Sequence, residues 1–461
     1  MAEARPTADT LAPHLLWAPH AWVDGRWQDA VLLDIDAQGC WRGITAGAKA
    51  PAVAQQLPGP VLPGLVNSHS HAFQRAFAGL TERRAGDQDD FWSWRQQMYD
   101  LALRVTPEAL RQIATRLYRE LLRGGYTQVC EFHYLHHAPD GKPYAAAHGG
   151  LMAMSQALID AAQDSGIGLT LLPVLYERAG FTQAALRDEQ RRFGTDVDQV
   201  LALRDGVRAM AASRPQAHIS AGVAIHSLRA ARPESIAALA RRVADDAGPV
   251  HIHIAEQTGE VDDCLAATGQ RPVDWLCSGL GQGPAQAFTI DARWHLVHAT
   301  HVNRAEIDAV AVTGAGMVLC PSTEANLGDG LSDLPHWLNA GVPVSIGSDS
   351  HVTRDWREEL RLAEYGQRLL HRQRNVLATP LSGEGATAAR LFGRALSAGG
   401  DAAGFARWGL EVGARADLLV IDMADSSLHD IAPGHLLDAL VFSSPVKPFA
   451  MTLVGGRWTG T

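Results

Sequence analysis

The chain has 461 residues, 46% of them hydrophobic and 20% charged, and its formal net charge is −10. The length exceeds one simple domain, and the composition is that of a globular protein with a large core. The acidic charge and the lack of a basic block argue against nucleic acid and acidic membrane surfaces as partners. A small anionic substrate stays possible, because a few arginines in a cleft can override the global sign.

The N-terminal residues 1–20 lack the basic start and continuous apolar stretch of a signal peptide. No segment of about 18 uncharged apolar residues occurs, so we expect no membrane span. The cysteines are scattered and never spaced C-x-x-C, which predicts free thiols in a reducing cytoplasm. They are Cys40, Cys130, Cys264, Cys277 and Cys320.

Both ends of the chain are β-rich, over residues 15–60 and from about 405 to 461. Turn signals occur at Asp24-Gly25 and Gly455-Gly456, inside the similar fragments VDGRW (23–27) and VGGRW (454–458). We predict that the two termini together form one small domain of β-sandwich type.

Between the ends, the chain alternates eight short β-rich runs with longer helical patterns such as those at 107–125 and 234–248. The runs are VLPGLVNSH (61–69), YTQVCEF (126–132), GIGLTLLPV (166–174), HISAGVAIHS (218–227), PVHIHIAE (249–256), WHLVHAT (294–300), GMVLCPST (316–323) and GVPVSIGSD (341–349). Eight βα units predict an α/β fold, a (β/α)8 TIM-like barrel. The predicted division is 1–62 and 401–461 for the β-domain, and 63–400 for the barrel.

A barrel enzyme carries its reactive groups at the carboxyl ends of its strands, and reactive side chains collect at these predicted ends. They are His69 and His71 of run one, His253 and Glu256 of run five, His298 of run six and Asp349 of run eight. His69 and His71 are two residues apart, so on an extended chain they point to the same side.

Three imidazoles and one carboxylate suit zinc, which keeps one position for water in catalytic sites. We therefore predict that His69, His71, His253 and Asp349 bind one divalent metal ion, with Zn²⁺ expected and iron or manganese as alternatives. His251 lies one pleat deeper on the face of His253, and is either an alternative ligand or a core histidine.

A metal-bound water can lose its proton near neutral pH, and a second group must then carry a proton to the leaving group. Glu256 is the candidate for that role. His298 could orient the nucleophile or stabilise developing charge, and Asp349 could accept the water proton. A metal pair bridged by a carbamylated lysine is not expected, since no lysine ends a run. The lysines are Lys49, Lys142 and Lys447.

The motifs PGLVNSHSH, HIHIAE, VHATH and GSDSH, with the tail LEVGARADLLVID and TLVGGRW, resemble the amidohydrolase superfamily over nearly the whole chain. Within it, NSHSHAFQRAFAGL, DDFWSWRQQMY, EFHYLHH, HSLRA and STEANLGDG resemble the formimidoylglutamate deiminase family. The resemblance implies zinc-dependent hydrolysis of N-formimino-L-glutamate to N-formyl-L-glutamate and ammonia, in histidine degradation. It also implies a homodimer, the four metal ligands above, and Glu256 and His298 as the pair that handles protons.

The implied substrate has a cationic formimino group at one end and two carboxylates at the other. Arginine donors in a fork suit carboxylates, so we expect polar and basic groups after runs one, two and four to bind the glutamate part. The expected contacts are Gln74, Arg95, Tyr134, His226 and Arg229, with a surface position as the alternative for Arg95.

Other interpretations stay open at this point. Ser322, Glu324 and Asn326 after run seven could shape the pocket or only form a turn, and we assign them no catalytic role. A nucleobase or triazine deaminase of the same superfamily would share the metal ligands but use a flat pocket with amide groups. A non-catalytic barrel module should have lost some of the ligands.

Overall fold

The computed structural model describes residues 10–12, 14–80, 82, 91–280 and 288–460. The start of the motif DDFWSWRQQMY and the first nine residues of the predicted β-domain lie outside these ranges. Within the described part of the chain, no helix is long and apolar enough to cross a membrane.

Helices and strands follow the alternation that the sequence predicts. The strands are β1 (Thr10–Leu11), β2 (Leu15–Val23), β3 (Arg26–Ile35), β4 (Trp41–Thr45), β5 (Gln55–Gln56), β6 (Val61–Leu62), β7 (Leu65–Ser70), β8 (Tyr126–His133), β9 (Gly168–Leu175), β10 (Ile219–Ala221), β11 (Val223–Ser227), β12 (Val250–Ile254), β13 (Trp294–His298), β14 (Gly316–Leu319), β15 (Val344–Ile346), β16 (Leu418–Ile421), β17 (Phe449–Val454) and β18 (Arg457–Trp458). The α-helices are α1 (Phe91–Ala102), α2 (Pro107–Arg123), α3 (Ala153–Ser165), α4 (Val197–Ser213), α5 (Pro233–Arg242), α6 (Thr258–Thr268), α7 (Pro272–Cys277), α8 (Arg304–Thr313), α9 (Pro321–Leu327), α10 (Leu334–Asn339), α11 (Trp356–His371), α12 (Thr387–Ala402) and α13 (Leu436–Phe442).

The two termini form a separate sheet, as predicted. Its strands hydrogen-bond in the order β1-β18-β17-β16-β6-β2-β3-β4, with β5 beside β2. Two-residue turns join β2 to β3 and β17 to β18, and both residues of each turn have positive φ: Asp24 (51°) and Gly25 (72°), then Gly455 (54°) and Gly456 (75°). This conformation suits the twist of a hairpin, and it explains why VDGRW and VGGRW look alike.

The eight predicted runs form a parallel barrel in the order β7-β8-β9-β11-β12-β13-β14-β15. The fourth run is split in two at Gly222, where a Cβ would lie 2.3 Å from the carbonyl oxygen of Pro249. The predicted (β/α)8 fold is therefore confirmed. The boundaries proposed at 62/63 and 400/401 stay a prediction.

The helices carry their apolar residues on one face. In α2, Thr106 accepts a hydrogen bond from the backbone N–H of Ala109, and Pro107 takes the first helical position. The buried positions recur with helical spacing, which packs α2 against the barrel. They are Leu110, Ala114, Leu117, Tyr118, Leu121 and Leu122.

The amino-terminal end of the barrel is closed by the last turn of α12. Inward-facing side chains of four strands donate hydrogen bonds to the carbonyl oxygens of residues 401–403. The donors are Cys130 and His251 to Ala402, Thr170 to Ala403, and His295 to Asp401. The end of α12 therefore covers the amino-terminal end of the barrel interior.

Strands β7 and β15 close the ring through a short parallel bridge between Ser70 and Asp349 rather than a full ladder. The backbone N–H of Asp349 donates to the His69 carbonyl at 3.0 Å, and Asn67 accepts from the N–H of Ser348 at 2.8 Å. Gly347 lies at the crossing, where a Cβ would come within 2.6 Å of the His69 Cβ.

We expect Gly347→Ala to lower the free energy of unfolding by about 1–3 kcal/mol, because the clash lies in a packed interior that cannot move aside. Gly393→Ala in α12 is the matched control, since no atom lies within 4 Å of its added Cβ. That change should be neutral or stabilise by about 0.5–1 kcal/mol. Urea denaturation measures both, and equal stability of the two variants would contradict the packing argument.

Candidate functional site

The predicted reactive residues lie together at the open, carboxyl end of the barrel. His69 is the last but one residue of β7 and His71 directly follows that strand, His253 is in β12, His298 is the last residue of β13, and Asp349 follows β15. Each of these residues lies near or just after the carboxyl end of a barrel strand, where an α/β barrel enzyme carries its active site.

Three imidazoles meet at their Nε2 atoms. His69 Nε2 lies 3.1 Å from His71 Nε2 and 2.9 Å from His253 Nε2. The Nδ1 atoms of His71 and His253 donate to the carbonyl oxygens of Phe132 and His226, both at 2.9 Å. Since a carbonyl only accepts, both rings carry their hydrogen on Nδ1, and their Nε2 lone pairs point toward the shared centre.

The set fits a metal cation. Asp349 Oδ1 adds a carboxylate oxygen at 3.5 Å from His69 Nε2 and 3.3 Å from His71 Nε2. Ligands about 2.0–2.2 Å from a tetrahedral zinc ion lie roughly 3.3–3.6 Å from one another, close to these separations. Burial lowers the pKa of each of the three histidines, so the rings are neutral and can act as ligands. Without a cation, lone pairs this close would repel.

Backbone strain accompanies the site. His298 has φ of 68°, Asp349 has 44°, and Ala255, just before Glu256, has 51°. Non-glycine residues adopt this left-handed region at a cost of about 1–3 kcal/mol, and such residues cluster at functional sites. Here the turns direct the side chains inward from the ends of β12, β13 and β15.

His298 lies among three carboxylates. Its Nε2 is 3.7 Å from Glu256 Oε1 and 3.8 Å from Asp349 Oδ2, and its Nδ1 is 3.3 Å from Glu324 Oε1. Burial disfavours the charged ring, but these carboxylates prevail and raise the pKa of His298 to about 10. Burial raises the pKa of Glu256, and so does Asp349. His298, Arg229 and Arg95 act in the opposite direction. The neighbouring carboxylates thus favour the imidazolium form of His298.

The sequence left open whether Glu324 shapes the pocket or only forms a turn. The segment after run seven is not a turn but helix α9, and Glu324 Oε1 also accepts from the backbone N–H of Cys320 at 2.9 Å. Ser322 donates to Glu359 and Asn326 to Glu82, so these two side chains point away from His298. In the sequence, the position of Glu324 just past a strand end was the one sign of a role in the site. A turn-forming residue would occupy the same position, so the sequence could not distinguish the two roles.

The strand ends surround a cavity at the open end of the barrel. It is lined by His71, Gln74, Trp94, Arg95, Met98, Tyr134, His226, Arg229, His253, Glu256, His298, Leu327 and Asp349. Every predicted site residue is therefore present except His69, which lies beneath the surface at the meeting point of the imidazoles. Trp94, Met98 and Leu327 were not predicted, since they come from helices α1 and α9 and not from strand ends.

Two buried arginines occupy the cavity wall. Arg95 is 9% exposed, donates to Tyr176 Oη at 3.1 Å, and has its guanidinium 5.2 Å from the ring centre of Tyr99. Arg229 is 7% exposed, and its Nη1 has no hydrogen-bond partner within the described chain. Arg95 is thus not a surface arginine, and Arg229 has donor capacity for a ligand.

The remaining polar wall consists of Gln74, Tyr134 and His226. Gln74 Nε2 donates to Tyr134 Oη at 3.0 Å, while its Oε1 has no partner in the described residues. The ring of His226 lies 5.4 Å from that of Tyr134, and burial lowers the pKa of His226. These groups offer hydrogen bonds beside the arginines.

The positions of His251 and of the three lysines bear on the alternatives that the sequence left open. His251 Nε2 donates to the Ala402 carbonyl at 2.8 Å, below the metal-binding cluster, and burial lowers its pKa to about 4. It is a hydrogen-bonded core histidine. Lys49, Lys142 and Lys447 are all exposed on the surface, away from the strand ends.

Comparison with known proteins gives a family match. The model of the amidohydrolase family matches residues 61–459. The chain is 44% identical over 446 residues to a Pseudomonas aeruginosa formimidoylglutamate deiminase, covering 96% of this chain and 94% of that protein.

Solved structures agree in fold. An amidohydrolase from Brucella melitensis superposes with a TM-score of 0.88 at 40% identity, covering 96% of this chain and 94% of that one. An adenosine deaminase from Xanthomonas campestris with bound zinc superposes with a TM-score of 0.75, covering 97% and 92%. At 22% identity, the second likeness concerns the fold alone.

We expect His253→Ala to lose most of its bound metal, because one of three imidazole ligands is removed. His251→Ala is the matched control, two residues along the same strand. It should keep wild-type metal content and lose only stability, since its partner is a carbonyl of α12. Metal analysis of the purified variants measures this, and metal loss in His251→Ala alone would reverse the assignment.

Proposed function

The chain belongs to the amidohydrolase family, and we propose that it is a metal-dependent hydrolase that converts N-formimino-L-glutamate and water to N-formyl-L-glutamate and ammonia. The reaction breaks one C–N bond of a linear amidine and forms the C=O bond of a formamide. It belongs to the breakdown of histidine, as the sequence resemblance implies.

We base the proposal on the groups of opposite charge that line the one cavity. Glu256 and Asp349 lie at the metal-binding end, and Arg95 and Arg229 line the same cavity. Both arginines lower the pKa of Glu256, which burial raises, so both guanidinium groups act on this carboxylate through space. A ligand with a cationic amidine at one end and two carboxylates at the other complements this arrangement.

The metal site is proposed to comprise His69, His71, His253 and Asp349, with one Zn²⁺ per subunit. The donor set supports this, since three neutral imidazoles with converging lone pairs and one carboxylate suit zinc better than magnesium or calcium. A bound divalent ion supplies a water that is activated as a nucleophile near neutral pH. The exposed position of all three lysines supports a single ion.

The side chains around this centre divide the proton transfers. Asp349 Oδ2 faces His298 and can accept the proton of the attacking water. Glu256 would first take up a proton of the attacking water and then pass it to the departing nitrogen, so that ammonia leaves as a neutral molecule while the other water proton goes to Asp349 as the C=O bond forms. His298, held by Glu324, stabilises the negative charge that develops on the oxygen added to the amidine carbon by the attacking water. Gln74, Tyr134, His226, Arg95 and Arg229 hold the glutamate part.

The competing functions predict different cavities or behaviour. A neutral ring of a nucleobase or triazine would offer no anionic acceptor to the unpartnered Nη1 of the buried Arg229. A non-catalytic module would be expected to lack part of the ligand set, whereas all four predicted ligands are close together.

The deciding experiment is ammonia release from N-formimino-L-glutamate by the zinc-loaded enzyme, compared with guanine, cytosine and adenosine. We expect release from the first substrate alone. Release from a base and not from the amidine would overturn the proposal. Absence of bound zinc, iron or manganese, with no activation on adding metal, would support the binding-module interpretation.

We also propose a homodimer in the cytoplasm, with no nucleic acid or membrane partner. The family resemblance supports the dimer, and the five unpaired cysteines suit a reducing compartment. Light scattering after size-exclusion chromatography tests the dimer.

Glu256→Gln should lower kcat by about 100- to 10,000-fold, because the amide can bind the amidine nitrogen but cannot deliver a proton. Its zinc content should stay at the wild-type level. Glu260→Gln is the neighbouring control, since Glu260 contacts the Glu256 backbone N–H but does not line the cavity. Unchanged kcat in Glu256→Gln would remove this residue from the mechanism.

Arg229→Ala should lower kcat/KM for N-formimino-L-glutamate by roughly 10- to 100-fold, the worth of a charged hydrogen bond. Activity toward N-formimino-glycine, which has one carboxylate, should fall less. Arg232→Ala is the control, because Arg232 lies three residues further on and pairs with Glu177 outside the cavity. An unaltered value in Arg229→Ala would mean that another residue holds the glutamate.

A further inference from the structure

One buried carboxylate outside the cavity holds the strand that carries His69 and His71. Glu131, in β8, is 2% exposed and does not line the cavity, so it cannot touch substrate. Its Oε2 accepts from Ser70 Oγ at 2.7 Å and from Tyr118 Oη at 3.2 Å, and its Oε1 accepts from the backbone N–H of Ala72 at 2.6 Å.

These contacts fix the chain on both sides of His71. Ser70 points to the opposite face of β7 from His69 and His71, since successive side chains alternate. Glu131 therefore holds the strand from behind, while the next residue of β8, Phe132, orients the His71 ring through its carbonyl oxygen. Three consecutive residues, 70 to 72, are thus positioned by two consecutive residues of β8.

The same chain of hydrogen bonds reaches the strand that carries Asp349. Ser70 Oγ lies 3.4 Å from His351 Nε2, and His351 Nδ1 lies 3.0 Å from Ser348 Oγ. Asn67 Nδ2 donates to Ser348 Oγ at 2.7 Å. Ser348 and His351 flank Asp349 in sequence, so the chain connects both ligand-bearing strand ends.

Along this chain, each hydrogen bond is donated in the same direction, from Asn67 toward Glu131. Ser70 gives its hydrogen to the acceptor-only carboxylate, so its oxygen accepts from His351 Nε2. Ser348 receives from Asn67 and gives its own hydrogen to His351 Nδ1. Every member is satisfied with a neutral His351 ring, and the chain ends at the Glu131 carboxylate.

A carboxylate is a demanding group to bury in a barrel, since burial raises the pKa of Glu131 to about 7 even with three donors present. An apolar residue would fill the same space without that cost. Unlike an apolar residue, the Glu131 carboxylate holds Ser70 and Ala72 in a fixed position.

We propose that Glu131 is a positioning residue for the metal centre, which sets the spacing of His69, His71 and Asp349 through Ser70, Ala72 and His351. This inference rests on the metal site proposed above. It assigns Glu131 no contact with substrate, metal or reacting atoms.

The test compares wild type with Glu131→Gln, in which the amide turns an N–H toward one of the present donors. The zinc Kd is measured by competition with a coloured chelator, and the ligand field by the visible spectrum of the Co²⁺-substituted protein. We expect a zinc Kd about 10- to 100-fold higher, shifted Co²⁺ bands, and a lower kcat with little change in KM.

Glu364→Gln is the matched control. Glu364 is a fully buried carboxylate that accepts from the backbone N–H groups of Val376 and Leu377, far along the chain in α11. It should lower thermal stability and leave the zinc Kd and the Co²⁺ spectrum unchanged. An unchanged Kd and spectrum in a folded Glu131→Gln protein would overturn the proposal, as would an equal effect of Glu364→Gln.

Ser70→Ala decides the case if Glu131→Gln does not fold. It removes the link between Glu131 and His351 while leaving the carboxylate its bonds to Ala72 and Tyr118. A raised zinc Kd supports the proposal, and an unchanged one overturns it. Zinc binding is measured without substrate. A wild-type protein that binds zinc but releases no ammonia would therefore overturn the proposed function and leave this inference intact.

Discussion

The site depends on one constraint, which is that three imidazole nitrogens must face one another at about the spacing of ligands around a single ion. His69, His71 and His253 are neutral, and their lone pairs repel unless a cation lies between them. The surrounding groups hold this unfavourable arrangement in place before any ion binds. The Phe132 and His226 carbonyls fix the rings from behind, in the way that outer groups tune metal ligands elsewhere. Left-handed turns at His298 and Asp349 then direct the other functional groups into the same space.

The cavity above this centre is lined by charged groups of both signs. Carboxylates gather around His298, while Arg95 and Arg229 line the same small space. Buried charges of one sign are stable only when a partner of the opposite sign is near. A substrate that carries both signs, with its cation toward Glu256 and its anions toward the arginines, supplies both partners at once. Selectivity for a charged linear amidine over a neutral ring follows from this pairing.

Much of this architecture could be predicted because it depends on patterns within short stretches of the sequence. The alternation of β-rich runs and helical stretches gave the barrel, and the H-x-H pair of His69 and His71 gave the first two candidate ligands. Other features depend on contacts between distant parts of the chain. Alternation puts His251 and His253 on one face, and only the position of Ala402, about 150 residues later, shows which one belongs to the core. Glu324 was ambiguous for a related reason, since its role depends on where helix α9 places it relative to His298.

The closure of the barrel floor by α12 has a consequence for how the protein is made. The donors on β8, β9, β12 and β13 hydrogen-bond to carbonyl oxygens of residues 401–403, and β6 needs β16 as its second neighbour besides β2. A chain emerging from the ribosome therefore exposes unpaired polar groups and apolar strand faces until nearly nine-tenths of it has been synthesised. Contacts this distant in sequence slow folding, because long loops must close before the contacts form. For most of its synthesis the nascent chain therefore exposes surfaces that are prone to aggregation.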